Sequence, residues 1–386
     1  MRASRSVLFV RPDYHCSFFY RDQLRELGWK ADIFVPSNYP KSILYSDQDI
    51  LSAPFWICNN RKIQWALNIL PLLFWWITKF WRYNYHIYYG PPPVINLLEN
   101  RFSIFRLFKY DFIFELWLAK LFKIKLIYLP SGCHDDESKE NFSKLDNGNV
   151  CNNCGFWDRC LDQLNNLNFS RIRRYFDLVI GVGAIDSTQF PMTHMKYKSI
   201  DLDLWSPDIV IPKNHRLPST RKIRILHSAY LENSGRNWKG RNIKGSPSVL
   251  KAIERLQNEG HLVEYFFIKD KPSYQMRFYQ AQADIVVEQL IYGWWGSTFV
   301  ETSALGKPVV CYLRPSWKEF FLRRFPEYSS LPLIESDTSR IYEVLRKLVT
   351  DENYRKRKGR ESRQFAEKHF DPIVNTKLLI KNLSSL

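Results

Sequence analysis

Negative charge is scarce in this chain. Only 39 Asp and Glu stand against 56 Lys and Arg, a formal net charge of +17. Such an excess points to an anionic partner, whether nucleic acid, acidic lipid or a phosphorylated substrate. Long apolar runs are missing too. The richest stretch, residues 64–81 (QWALNILPLLFWWITKFW), is broken by Asn68, Pro71 and Lys79. It falls short of the ~20 predominantly apolar residues that a spanning helix needs. No signal peptide is visible: residues 1–6 are basic, but the apolar run 7–10 is too short and reads as a first strand. The expectation is a cytoplasmic chain. Finally, Cys-x2-Cys occurs once, at Cys151 and Cys154, so the paired form of a zinc knuckle is lacking.

What is present suffices for two domains. A chain of 386 residues exceeds what one core usually serves, and its 45% apolar share is ordinary, whereas 16% aromatic is high. In the first half, a strand over 7–10, a helix over 17–27 closed by Gly28 and a strand over 31–35 open a Rossmann-like wind. Further strands are predicted over 86–89, 125–129 and 178–182. The second half starts with a strand over 223–227, followed by a loop carrying Arg236, Lys239, Arg241 and Lys244 up to Gly245. Ser246-Pro247 then begins a helix that Gly260 ends. A strand over 263–268, a helix near 272–283 and helices over 342–350 and 354–369 complete the pattern.

Residues 281–312 (AQADIVVEQLIYGWWGSTFVETSALGKPVVCY) are the most informative segment. The run 284–288 is short and β-branched, as a strand buried on both faces is, and Gly293 and Gly296 bracket the turn leaving it. A helix is expected from Ser297, with Ser297 and Thr298 capping its first turn and Gly306 ending it, before a strand over 309–312. The amides of that helix start suit an anion such as a diphosphate, and Glu301 stands one turn further in, within reach of ribose hydroxyls.

This segment resembles the retaining nucleotide-sugar glycosyltransferases of the GT-B type, especially the large family four. The second glutamate of that family's Glu-x7-Glu motif falls on Glu301, and Ala304-Leu305-Gly306-Lys307-Pro308-Val309-Val310 continues the match. The first glutamate is replaced by Gly293, and Glu288 at the strand end is the alternative carboxylate, or an exposed strand terminus. Residues 175–183 and 199–207 (SIDLDLWSP) resemble the last strand of the acceptor domain and the interdomain segment. The resemblance implies two Rossmann-like domains facing a cleft: an acceptor domain over 1–205 and a nucleotide-sugar domain over 206–386. It implies that Arg241 with Lys244-Gly245 grips the donor diphosphate, Lys239-Gly240 being a rival register. Gly296, Ser297, Thr298, Glu301 and Glu288 complete the donor site, and Arg241, Lys244, Glu301 and His134 are the catalytic candidates. No catalytic metal is needed, because cationic side chains and amides can stabilise the leaving diphosphate.

Within the first domain, Cys133, Cys151, Cys154 and Cys160 could form a four-thiolate zinc site pinning an insertion over 133–168. An iron–sulfur cluster fits the same ligands, and a simple turn with unrelated thiols is the other reading. Cys16, Cys58 and Cys311 read as buried thiols. Ser131 to Asp136 follow a strand at its carboxyl end, where α/β sheets bind ligands. His134 there is a donor, a base or a surface residue, and Arg11, Asp13 and His15 after the first strand could meet an acceptor.

From 61 to 125 there are ten Lys or Arg against three Asp or Glu. Together with Trp75, Trp76 and Trp81 this suggests a helix lying in an anionic membrane interface, with core packing as the alternative. The expected function is transfer of a sugar from a nucleotide sugar to a lipid-linked, polysaccharide or other acceptor, at the inner face of a membrane. A nucleotide-sugar epimerase and a basic zinc-stabilised nucleic-acid-binding protein are the alternatives.

Overall fold

The computed structural model describes residues 5–12, 15–35, 45–46, 49–52, 61–90, 114–129, 146, 149–155, 174–181, 193–194, 198–227, 237–238, 241–268 and 271–386. The chain divides into two compact units: Met1–Lys139, Asp162–Tyr197 and Pro372–Leu386 form one, Glu140–Leu161 and Lys198–Asp371 the other.

The first unit is wound around a parallel sheet. Its strands are β1 (Ser6–Val10), β2 (Lys30–Val35), β3 (Leu51–Ser52), β4 (Tyr85–Tyr89), β5 (Lys125–Leu129), β6 (Leu178–Gly181) and β7 (Thr193–His194), in the order β3-β2-β1-β4-β5-β6-β7. Every residue of β1 is buried, as a central strand covered by helices on both faces requires. The helices are α1 (Cys16–Glu26), α2 (Arg61–Lys79) and α3 (Phe114–Leu121), joined by α11 (Pro372–Ser384) at the end of the chain. Leu379 and Leu383 of α11 lie in one core with Phe18 and Leu24 of α1 and Phe9 of β1. The chain therefore returns to its first unit after completing the second.

Numbered in chain order, the second unit holds the short helix α4 (Asn149–Asn152) and a second parallel sheet. That sheet comprises β8 (Ile223–His227), β11 (Val263–Phe266), β12 (Ile285–Val287), β13 (Val309–Cys311) and β14 (Ile334–Glu335), in the order β11-β8-β12-β13-β14. A small antiparallel hairpin, β9 (Asn237–Trp238) with β10 (Arg241–Asn242), stands apart from it. Helices α5 (Ser246–Asn258), α6 (Met276–Gln280), α7 (Ser297–Ala304), α8 (Pro315–Arg324), α9 (Ile341–Thr350) and α10 (Glu352–His369) interleave with the strands. Val249 and Ile253 of α5 meet Leu345 and Leu348 of α9 over Ile225, Ile285 and Val310 of the sheet. Phe299, Phe321 and Phe365, from α7, α8 and α10, form an aromatic cluster with Trp295. Two parallel sheets with interleaved helices are the Rossmann-like windings the sequence leads one to expect.

The aromatic stretch 64–81 is where expectation and structure part. Trp75 and Trp76 do not face outward: both are buried, Trp75 stacked on Phe34 of β2 at 4.0 Å and Trp76 on Phe80 at 5.6 Å. They belong to the core with Leu8, Tyr88 and Tyr128. Burying two indoles on the sheet removes far more apolar area from water than a shallow headgroup contact could. Among the described residues no helix is long and apolar enough to cross a membrane.

Candidate functional site

Strands β8 and β12 run side by side with His227 opposite Val287, so Glu288, one residue on, stands at the carboxyl end of the sheet. Glu288 is fully buried, which rules out an exposed strand terminus. Its Oε1 accepts the N–H of Gly296 at 2.6 Å. The Phe299 amide and the Cys311 thiol also favour its charged form, while burial, the largest influence, pushes its pKa up. A Cβ on Gly296 would lie 2.9 Å from that same oxygen, so glycine is what lets the carboxylate come this close. Helix α7 does begin at Ser297, but neither Ser297 nor Thr298 caps it; the N-cap is Gly296, with no hydrogen bond to a capping side chain in the local sequence. The acceptor at this helix start is the Glu288 carboxyl, supplied by the residue that follows β12.

The second helix start is built around Lys244. Asn242 Oδ1 accepts the backbone N–H of Lys244 at 3.0 Å and of Ser246 at 3.3 Å, folding the loop into α5. Gly245 makes the corner with φ 75°, and its Cα lies so close to Leu290 and Thr338 that a Cβ would meet both at 3.0 Å. The Lys244 carbonyl accepts the Leu290 N–H at 3.2 Å, tying this loop to the segment leaving β12. Buried His227 closes the arrangement. Burial lowers its pKa to about 4, so the neutral ring donates from Nδ1 to the Val287 carbonyl and accepts at Nε2 from the Ser246 hydroxyl, both at 2.8 Å.

Glu301 sits on α7 one turn beyond Ser297, buried, with Gln280 Nε2 donating to its Oε2. Burial raises its pKa to about 7; the Glu288 charge adds to the rise, and the Gln280 hydrogen bond, Lys198 and Lys244 oppose it. The Lys244 charge lowers the pKa of Glu288, Glu301, His227 and Cys311, at each a smaller influence than burial, so all four lie within its electrostatic reach. A half-buried cation within electrostatic reach of two buried carboxyl groups at the carboxyl end of a parallel sheet is suited to holding an anion and a diol together.

Gly293, standing where the resemblance expects a carboxylate, has φ 87°. A Cβ there would meet Arg314 Nε at 2.8 Å. The guanidinium of Arg314 is buried against it, donating from Nη2 to the Tyr292 carbonyl at 2.6 Å, 3.4 Å from Asp146 Oδ2 and 4.3 Å over the Trp317 ring. The space beside Gly293 is thus filled by a cation that follows the next strand.

Arg241 lies half-buried in β10, paired with Trp238 across the hairpin. His134, Cys133, Cys160, Asp13, Cys58 and the rival pair Lys239-Gly240 lie outside the described residues. Arg11 follows β1 with φ 65°, and His15 is buried at the start of α1, its ring 5.5 Å from Phe19. Cys16 and Cys311 are buried, as expected. Cys151 and Cys154 are half-buried at the end of α4, joined by a Cys154 N–H to Cys151 carbonyl bond of 3.1 Å. Among the described residues no group of three or more His, Cys, Asp or Glu could hold a metal ion. Sequence reasoning missed Gln280, Asn242, His227 and Arg314. Only His227 carried a signal, its place at the last position of a strand predicted to end at the ligand edge.

No family model matches the chain, and no curated protein matches it in sequence. Solved structures do match in fold. Sucrose-phosphate synthase from Thermosynechococcus elongatus is 12% identical with a TM-score of 0.56, over 99% of each chain. HepE of Anabaena in complex with UDP-glucose is 13% identical with a TM-score of 0.54, over 99% of this chain and all of the other. An alpha-glucosyltransferase in complex with UDP and a 13-mer DNA is 12% identical with a TM-score of 0.56, over 98% of this chain and 99% of the other. At these identities the likeness is one of fold, the two-domain α/β architecture of GT-B glycosyltransferases.

Proposed function

We propose that this protein is a glycosyltransferase that takes a sugar from a nucleotide diphosphate donor, held by its second unit. The observation that carries the reading is the convergence of Lys244, Glu288 and Glu301 at the carboxyl end of β8 and β12, between the starts of α5 and α7. The solved relatives bound to UDP make a UDP-sugar the first donor to try.

In this reading the Glu301 carboxylate accepts from the ribose hydroxyls, and the Lys244 ammonium, with Arg241, meets the diphosphate. As the bond between the anomeric carbon and the phosphate oxygen breaks, its electrons move onto the diphosphate, and the fixed cation stabilises the charge that develops there. Glu288 occupies part of the α7 start, so Lys244 carries most of that role, with Ser297 and Thr298 beside it. Retention of anomeric configuration, a lipid-linked or polysaccharide acceptor held by the first unit, and a catalytic part for His134 belong to the same proposal. So does a structural zinc on Cys133, Cys151, Cys154 and Cys160, for which elemental analysis of purified protein should find about one zinc per chain.

Incubating the protein with radiolabelled nucleotide sugars and a lipid extract tests the central claim. Label transferred to an acceptor, with release of the nucleoside diphosphate, is expected. Interconversion of the donor sugar without transfer would identify an epimerase instead.

A further inference from the structure

Helix α2 has two apolar faces, and only one of them meets the sheet. Leu72, Trp75 and Trp76 are buried. On the opposite side Leu67, Leu70, Phe74 and Ile77 recur at the three- and four-residue spacing of a single helix face and are 43%, 65%, 70% and 51% exposed. This strip runs about 15 Å along the helix. The patch continues beyond the helix end: Phe80 meets Phe122 edge-on at 5.4 Å, and Leu121, at the end of α3, is 62% exposed beside it.

The rim of this patch is basic. Lys79, Arg82 and Lys123 are exposed around the junction of α2 and α3. Over 61–90 and 114–129 the sequence holds seven cations (Arg61, Lys62, Lys79, Arg82, Lys120, Lys123, Lys125) and one carboxylate, Glu115. That carboxylate is buried and accepts the Tyr88 hydroxyl at 3.2 Å, so it lends no negative charge to the surface.

We propose that this face docks on an anionic lipid bilayer, with α2 lying in the interface plane, Leu70, Phe74, Ile77 and Leu121 entering the headgroup–acyl boundary, and Lys79, Arg82 and Lys123 meeting lipid phosphates. An apolar strip one side chain deep beside the exposed Lys79, Arg82 and Lys123 is the combination an anionic interface rewards with both burial and attraction. A second copy of the chain fits worse, because symmetric pairing of the strip brings the same three cations against one another. The inference corrects the sequence reading in one respect: the tryptophans anchor the helix to the sheet, and the aliphatic side opposite them faces the membrane. It stands independently of the glycosyl-transfer proposal.

Vesicle co-sedimentation of the whole protein tests it, with phosphatidylglycerol-containing vesicles against pure phosphatidylcholine. Binding to the anionic vesicles is expected, weakening as salt is raised. Leu70→Ser/Phe74→Ser should reduce it about tenfold or more. Lys79→Gln/Lys123→Gln should reduce it and flatten the salt dependence, whereas Val210→Ser/Leu262→Ser in the second unit should leave it unchanged. Circular dichroism and thermal unfolding establish that each variant folds, and if the apolar pair does not, the charge pair decides. Three outcomes overturn the proposal: no binding to anionic vesicles at low salt, binding that neither pair alters, or a wild-type dimer that Leu70→Ser/Phe74→Ser converts to monomer without affecting vesicle binding. The last would make the strip a protein interface.

Discussion

Glu288 and Gly296 are joined by a 2.6 Å hydrogen bond that places a buried carboxylate on the first turn of α7. The helix start has its own hydrogen-bond acceptor before any ligand arrives, and the Lys244 charge favours the ionised form of that carboxyl against the burial that opposes it. Replacing Glu288 with Ala should remove the cap and cost about 1–2 kcal/mol. A lower thermal midpoint is expected, and Gly296→Ala should lower it too, because its Cβ would press on the same oxygen. Unchanged midpoints in both variants would mean that the contact does not support the helix.

Glu301 gives a pH signature. Its ordinary value is 4.5 and its folded value about 7. Between those values the folded chain keeps a proton that the unfolded chain has released, so stability falls as pH rises through the window. Glu301→Gln removes this dependence. Its thermal midpoint relative to wild type should climb from about pH 4.5 to about pH 7 and then level off, the total being on the order of 2–4 kcal/mol. Calorimetric titration with UDP should show the opposite preference, affinity dropping by about 1.5–3 kcal/mol in Glu301→Gln at alkaline pH. Parallel stability curves for the two proteins would sink the assignment of the raised pKa, and unaltered UDP affinity in the folded variant would remove the ribose contact.

Gly293 and Arg314 should behave as a coupled pair. Alanine at 293 must adopt φ 87° and displace the guanidinium, at an expected cost of about 1–3 kcal/mol. Arg314→Ala removes the obstructing group, so Gly293→Ala/Arg314→Ala should lose less stability than the two single changes together. Additive losses would show that backbone strain alone requires the glycine.

Lys244→Ala should lower turnover by about 10²-fold if its charge stabilises the departing diphosphate. Lys239→Ala serves as the control for the register of the loop. Steady-state kinetics showing an inactive Lys239→Ala and a wild-type Lys244→Ala would transfer the phosphate contact to Lys239-Gly240.

Several elements were legible because their signals are local. Short apolar runs marked β1, β8, β12 and β13, Ser246-Pro247 opened α5, and Gly306, with φ 67°, ends α7 as expected. Glu301 was singled out by its place in the sequence pattern. Its carboxylate's surroundings were not, since Gln280 approaches from another helix.

The amino-acid sequence by itself determined the backbone preferences, the periodicities and hence the alternating α/β plan, because these depend on neighbours a few residues apart. Only the tertiary structure decided which apolar face of α2 meets the sheet, since periodicity gathers residues onto faces without choosing between two apolar ones. Folding likewise brought Glu288 to the α7 amides in place of Ser297, through the path of the intervening loop. It also put Arg314 in the space beside Gly293 and sent Leu379 and Leu383 back to the first core. These partners are distant in sequence and meet only when the packed chain leaves each buried charge and each apolar surface a single place to go.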